Sequence, residues 1–158
     1  MRTWTEKLNV EKKIKVVRLE KKFTDIPEGS KMLVATPLIV DAYVRKIPKG
    51  HSTSFLTMRE DLAREYKADK TCPVSTGIFL RISAEAAYEN FLLSASDENI
   101  TPFWRVIDET MKVAKKTYLR HRVFTRTPTK RRALMNQTIQ SLSEQKLCEL
   151  SLESRSRG

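Results

Sequence analysis

The chain has 158 residues, of which 40% are hydrophobic, and a formal net charge of +11. That length suits one domain with a real hydrophobic core. No apolar run approaches the ~20 residues of a membrane span, and the N-terminus lacks the apolar stretch of a secretory signal. A soluble, cytoplasmic protein is expected, and its positive balance favours an anionic partner, nucleic acid first.

Residues 1–31 read as an N-terminal arm. Trp4, Leu8, Ile14, Val17 and Leu19 are apolar, but eight basic residues among the first 22 dilute any periodicity. The expectation is an irregular stretch or short helix, packed on the domain through Trp4 and Phe23. The run Asp25-Ile26-Pro27-Glu28-Gly29-Ser30 signals a turn.

A first helix is predicted from Thr36, which can cap it, with Pro37 at the first helical position. Ile39, Val40, Tyr43, Val44 and Ile47 form its apolar stripe, and Pro48-Lys49-Gly50 ends it. Thr57 followed three residues on by Glu60 has the pattern of a capping box for a second helix, lined by Leu62, Ala63 and Tyr66. After Thr71-Cys72-Pro73, the residues Val74, Ile78, Ile82 and Ala86 predict a third, long helix ending before Ser94. Gly77 inside it permits close approach of a neighbour, at about 1 kcal/mol relative to Ala.

The loop Ser94–Asn99 leads into Ile100-Thr101-Pro102-Phe103-Trp104-Arg105-Val106-Ile107, read as an extended, strand-like segment. Two aromatics beside an Arg suit stacking on a flat ligand such as a nucleobase. An ordinary core strand entered through Pro102 explains the same residues. Beyond a basic, Thr-rich connector, Pro128 is placed to start a last helix with Leu134, Thr138, Ile139 and Leu142 inward. Ser143–Gly158 reads as a flexible, polar tail.

The fold expected is mainly α: a winged helix-turn-helix-like domain over 32–142, with a short wing or hairpin, the arm at 1–31 and the tail at 143–158. A plain helical bundle shares its first three helices.

No catalytic constellation or cofactor motif is visible, and no metal or cofactor is expected. His51 and His121 stand alone, and the four glycines form no phosphate-binding loop. Cys72 and Cys148 have no metal-ligand spacing, and two reduced thiols are the simplest reading. Cys72 precedes a predicted helix, where a thiol pKa falls, although Pro73 and the apolar residues after it suit a buried Cys equally. The basic residues are more coherent. Arg59 and Arg64 on the second helix and Arg81 on the third are candidate phosphate contacts, with a solvated helix surface as the alternative. From Thr110 to Ser143 there are nine Lys or Arg, beginning at Lys112 and ending at Arg132, and no acid.

Thr36-Pro37-Leu38-Ile39-Val40-Asp41-Ala42-Tyr43-Val44-Arg45-Lys46-Ile47-Pro48-Lys49-Gly50 resembles the first helix and turn of the DNA-binding domain of methylated-DNA protein-cysteine methyltransferases. Thr57-Met58-Arg59-Glu60-Asp61-Leu62-Ala63 resembles the family's next segment. Thr101–Ile107 resembles its active-site block of Pro, Cys, His, Arg and Val. The likeness covers roughly residues 33–107 and extends to the predicted helix near 130–142. It implies a winged helix-turn-helix that enters the DNA minor groove and receives a flipped, alkylated guanine.

Pro102, Arg105 and Val106 match that block. Phe103 stands at the nucleophilic Cys and Trp104 at the activating His, and a phenyl ring cannot accept a methyl group as a thiolate does. Pro73-Val74-Ser75-Thr76-Gly77 offers no cation where the base-flipping arginine is expected. The resemblance therefore implies an alkyltransferase-like, non-enzymatic binder of double-stranded DNA. Arg59, Arg64, Arg81 and Arg105 would contact DNA, and Pro102, Phe103 and Trp104 would line the base pocket. The alternative is a structural or protein-interaction domain on the same scaffold, and a third reading is a methyltransferase that uses Cys72.

Overall fold

The computed structural model describes residues 1–94, 100–107, 111 and 112. They lie in the first of two units into which the chain divides, Met1–Thr117. The segment 95–99, the predicted last helix, the tail, Cys148, His121 and all the basic residues from Lys115 to Arg132 lie outside the described residues.

The architecture is a small mixed α/β domain. In chain order it comprises α1 (Trp4–Leu8), β1 (Lys15–Arg18), β2 (Lys31–Val34), α2 (Pro37–Lys46), α3 (Phe55–Glu65), β3 (Lys70–Thr71), α4 (Pro73–Ser94) and a 3-10 turn at Phe103–Arg105. The sheet has the order β1-β2-β3, with β1 antiparallel and β3 parallel to β2. Leu33 at its centre is fully buried. Met32 packs with Ile26 and Cys72, and Leu19 and Val34 lie against them.

The strands occupy a different place from the one predicted. Residues 15–18 pair with 31–34 ahead of α2, where lysines hid any alternation of apolar and polar residues. Beyond the ladder, an isolated bridge between Phe23 and Ile26, with backbone hydrogen bonds of 2.9 and 2.8 Å, brackets a two-residue turn. Thr24 in this turn has φ +50°, an uncommon conformation for a β-branched residue that the surroundings must hold in place.

The Ile100–Ile107 segment is no strand. Phe103 and Ile107 are both buried and lie four residues apart, joined by a hydrogen bond from Ile107 N to Phe103 O of 2.9 Å. That spacing matches a helical turn rather than alternation. β-propensity reads Phe-Trp-Arg-Val-Ile as extended, but packing decides the backbone here.

The helices fall close to their predicted positions. Thr36 caps α2, its hydroxyl accepting from Ile39 N at 3.3 Å. The turn that follows places Gly50 at φ +85°, and His51 N bonds Pro48 O at 3.1 Å, a geometry glycine adopts freely. The cap of α3 lies three residues before the expected Thr57: Ser54 takes that place, and Thr57 N donates to its hydroxyl at 3.0 Å.

In α4 the buried face carries Phe79, Leu80, Ser83, Ala84, Ala87 and Phe91, whereas Val74 and Ile78 are 53% and 54% exposed. A strict four-residue row drifts around a 3.6-residue helix, by about 120° from Val74 to Ala86. The apolar row that predicted α4 therefore begins on its outer face. Gly77 lies beside the Phe55 ring, where an added Cβ would sit 3.9 Å from Cζ. Gly77→Ala is thus expected to raise stability by about 1 kcal/mol, read as a higher melting temperature.

Candidate functional site

Thr101–Arg105 is built as a tight turn that three elements hold. Phe103 N bonds Thr101 O at 2.8 Å and Arg105 N bonds Pro102 O at 3.0 Å. Thr101 Oγ1 donates to Asp41 Oδ1 at 2.6 Å, and Ser83 Oγ donates to the same oxygen at 2.6 Å. Asp41 Oδ2 accepts from Arg45 Nε at 2.8 Å. One buried carboxylate of α2 thereby fastens α4 and the start of the turn. At the far end, Thr53 N donates to Arg105 O at 2.8 Å, and Arg105 Nη1 donates to Ile47 O.

Pro102 is buried, and Phe103 is only 1% exposed, one of the largest enclosed side chains of the core. Trp104 is half-buried, and its ring meets that of Phe103 edge-on, with centroids 5.2 Å apart. Phe103 thus fills the core beneath the turn, and Trp104 is the aromatic nearer the surface.

The four candidate cations do not converge, because each is committed to a different neighbour. Arg59, expected to project from its helix toward phosphate, is turned inward and buried. Its Nε donates to Thr71 O at 3.0 Å, and its terminal nitrogens grip both oxygens of Asp25 at 2.9 and 3.0 Å. The Asp25 carboxylate offers the guanidinium fork a bidentate partner, which a lone phosphate-seeking side chain at the surface would lack. Arg81 lies 5.4 Å from the centre of the Trp4 ring and 3.6 Å from Glu85. Arg105 ties the turn to the end of α2. Arg64 alone of the four is open to solvent, its side chain 78% exposed and 3.2 Å from Asp61.

α1 sits over Arg81 because Glu89 seizes its first turn. Thr5 N and Thr5 Oγ1 each donate to Glu89 Oε2 at 2.7 Å, and these bonds hold the carboxyl below its usual range. Thr3 and Glu6 complete a capping box around the helix start.

Cys72 is buried against Ile26 and Met32, which leaves no open approach to its thiol. Tyr43 donates to Asp61 Oδ2 at 2.6 Å, and burial, then this carboxylate, pushes its phenol up to about 12. Among the described residues no three acidic, His or Cys side chains group as metal ligands, and no helix is long and apolar enough to cross a membrane.

Arg59 is expected to matter to stability first. Arg59→Ala leaves Thr71 O and Asp25 without their donors and costs about 3 kcal/mol by denaturant unfolding. The bonds from Arg59 hold the Asp25 carboxyl down to about 2 from its ordinary 3.8, partly opposed by burial. A carboxyl whose pKa is lowered by folding stabilises the protein above about pH 4, and that contribution disappears as pH falls toward about 2. Asp25→Asn should therefore flatten the acid limb of a melting-temperature profile, whereas an unchanged limb would count against this pair.

Asp41, Asp25 and Glu89 are the organising residues that sequence reasoning passed over. Asp41 carried a signal: it sits beside Val40 within the predicted apolar face of α2, where a carboxylate needs partners.

The fold and this turn define a small mixed α/β domain of four helices and an open three-stranded sheet among the described residues. In comparisons of the chain with protein-family models, curated proteins and solved structures, nothing matches.

Proposed function

We propose that the chain is a non-enzymatic, alkyltransferase-like DNA-binding protein that presents α4 to the duplex. The observation that carries this reading is the outer face of α4. Its first turns hold Val74 and Ile78 out to solvent while the opposite face is buried. A helix packed on one side and open on the other is what a groove-binding helix requires. The net charge of +11 supplies the attraction to phosphate.

The same reading accounts for the residues that stand at the family's nucleophile block. In the family that Thr101–Ile107 resembles, a Cys and its His stand where this chain has Phe103 and Trp104, and here Phe103 is a core side chain. Trp104, nearer the surface, is the residue on which an extruded base would stack.

The test is fluorescence anisotropy with duplex DNA, with and without an alkylated guanine, over a range of salt. Log affinity is expected to fall linearly with log salt. No binding to either duplex at low salt would remove the proposal. Intact mass after incubation with methylated DNA is expected to stay unchanged, and a gain of one methyl group would restore the enzymatic reading through Cys72.

A second reading, a protein-interaction domain on this scaffold, draws on the inward turn of Arg59 and the apolar exposure of Leu56, Val74 and Ile78. It predicts no salt-dependent DNA binding at all.

A further inference from the structure

We propose that the hairpin carrying Lys13, Lys15, Arg18, Lys21 and Lys22 is a second, phosphate-contacting arm for duplex DNA, locked against α3 by Asp25 and Arg59. The proposal rests on the DNA-binding reading above and names a surface outside α4 and the Phe103 turn.

Charge pairing separates this segment from the helices. On α2, α3 and α4 the cations Arg45, Lys46, Arg59, Arg64 and Arg81 each have a carboxylate within 4.0 Å. Among the described residues none lies within ion-pair distance of Lys13, Lys15, Lys21 or Lys22, and all four are exposed. Lys12, next to them, rests over the Phe79 ring at 5.0 Å. The acids of the stretch 13–30 are Glu20, Asp25 and Glu28, and Arg59 neutralises Asp25. A net positive ribbon is left, whose lysines have no carboxylate partner among the described residues.

The ribbon is held in place. Arg18 Nε donates to Gly29 O at 3.1 Å, Leu19 N bonds Ser30 O at 3.0 Å, and Gly29 N bonds Leu19 O at 2.8 Å. At its tip the bidentate grip of Arg59 on Asp25 fixes the turn to α3 and holds Thr24 at its positive φ. Arg59 thus contributes to the DNA surface indirectly, as the residue that anchors the turn following Lys21 and Lys22 through Asp25.

The distribution of charge fits a linear polyanion better than a lipid surface. On β1, Lys15 and Val17 share one face and Val16 and Arg18 the other, so neither face is apolar enough to enter a bilayer. Lys15 stands on the face opposite Arg18, whose Nε is bound to Gly29 O, so Lys15 is the β1 cation left for phosphate. Among the described residues β1 is also an edge strand, with no neighbour on its outer side.

The experiment compares the full chain with a variant carrying Lys13→Gln, Lys15→Gln, Lys21→Gln and Lys22→Gln. A matched variant carries Arg at the same four positions. Duplex binding is measured by anisotropy from low to moderate salt. The Gln variant is expected to bind roughly tenfold or more weakly, with a salt slope shallower by about 0.9 for each phosphate it no longer neutralises, and the Arg variant to bind as the natural chain does.

Equal affinity and slope in the Gln variant, when the natural chain binds, overturn the arm alone. A natural chain that binds no duplex overturns the parent reading and the arm with it. Vesicles of phosphatidylserine in phosphatidylcholine form the control. Hairpin-dependent vesicle binding beside an unchanged DNA slope assigns the ribbon to membranes and overturns the proposal.

Discussion

Phe103→Ala is expected to lower the unfolding free energy by about 3–5 kcal/mol, the range for emptying a buried aromatic site. Phe103 is 1% exposed and lies in a turn that buries Val106 and Ile107 as well, so the cavity has few ways to collapse. Trp104→Ala, at a half-buried position, should cost less, about 1–2 kcal/mol, and under the proposed DNA-binding reading it should act mainly on duplex affinity. Equilibrium denaturation of the two variants measures the difference. A Phe103 variant as stable as the natural chain would mean that the ring is not part of the core. Phe103→Cys should leave the protein unable to accept a methyl group, because Trp104 offers no base to ionise the thiol. Intact mass reads that outcome directly.

Asp41→Ala is expected to cost about 3 kcal/mol or more. It leaves the hydroxyls of Ser83 and Thr101 without their acceptor in the interior and takes away the Asp41 partner of Arg45. Asp41→Asn should cost about half as much, since its amide oxygen still accepts both hydroxyls and only the ion pair is lost. The contrast separates the hydrogen-bond hub from the charge. If the two variants melt together, the charge dominates and the hub assignment fails. Because Asp41 anchors Thr101, the Ala variant should also loosen the Phe103 turn, read as faster backbone hydrogen exchange at Phe103 and Arg105.

The helices were legible because capping and punctuation are local. Thr36 and Pro37 open α2, Pro48 to Gly50 end it, and Pro73 opens α4. α3 was misplaced by three residues because Ser54 and Thr57 are both competent caps, and only the backbone chooses between them. The sheet was not legible. Its edge strand is exposed along its whole length, so burial wrote no alternation into Lys15–Arg18, and its partner is a separate segment beyond the turn.

Of the candidate site, the Pro102–Arg105 block was legible as a unit, through its pairing of aromatics with a cation and its likeness to a known motif. The fates of the arginines were not. Arg59 and Arg64 sit five residues apart on one helix with the same chemistry, yet Arg59 is enclosed by Asp25 and Thr71 and Arg64 is solvated. Residues five apart point about 140° from each other on a helix, so one can face the sheet while the other faces water.

By itself the sequence determined the charge, both ends of α2, the start of α4 and the absence of a sulfur nucleophile at Phe103, since each is a property of a residue and its near neighbours. The tertiary structure alone decided which cations of the described residues remain for a partner. A guanidinium or ammonium is free or committed according to the carboxylates that folding brings beside it. Folding brings acids to the arginines of α3 and α4, and among the described residues it brings none to the lysines of the hairpin.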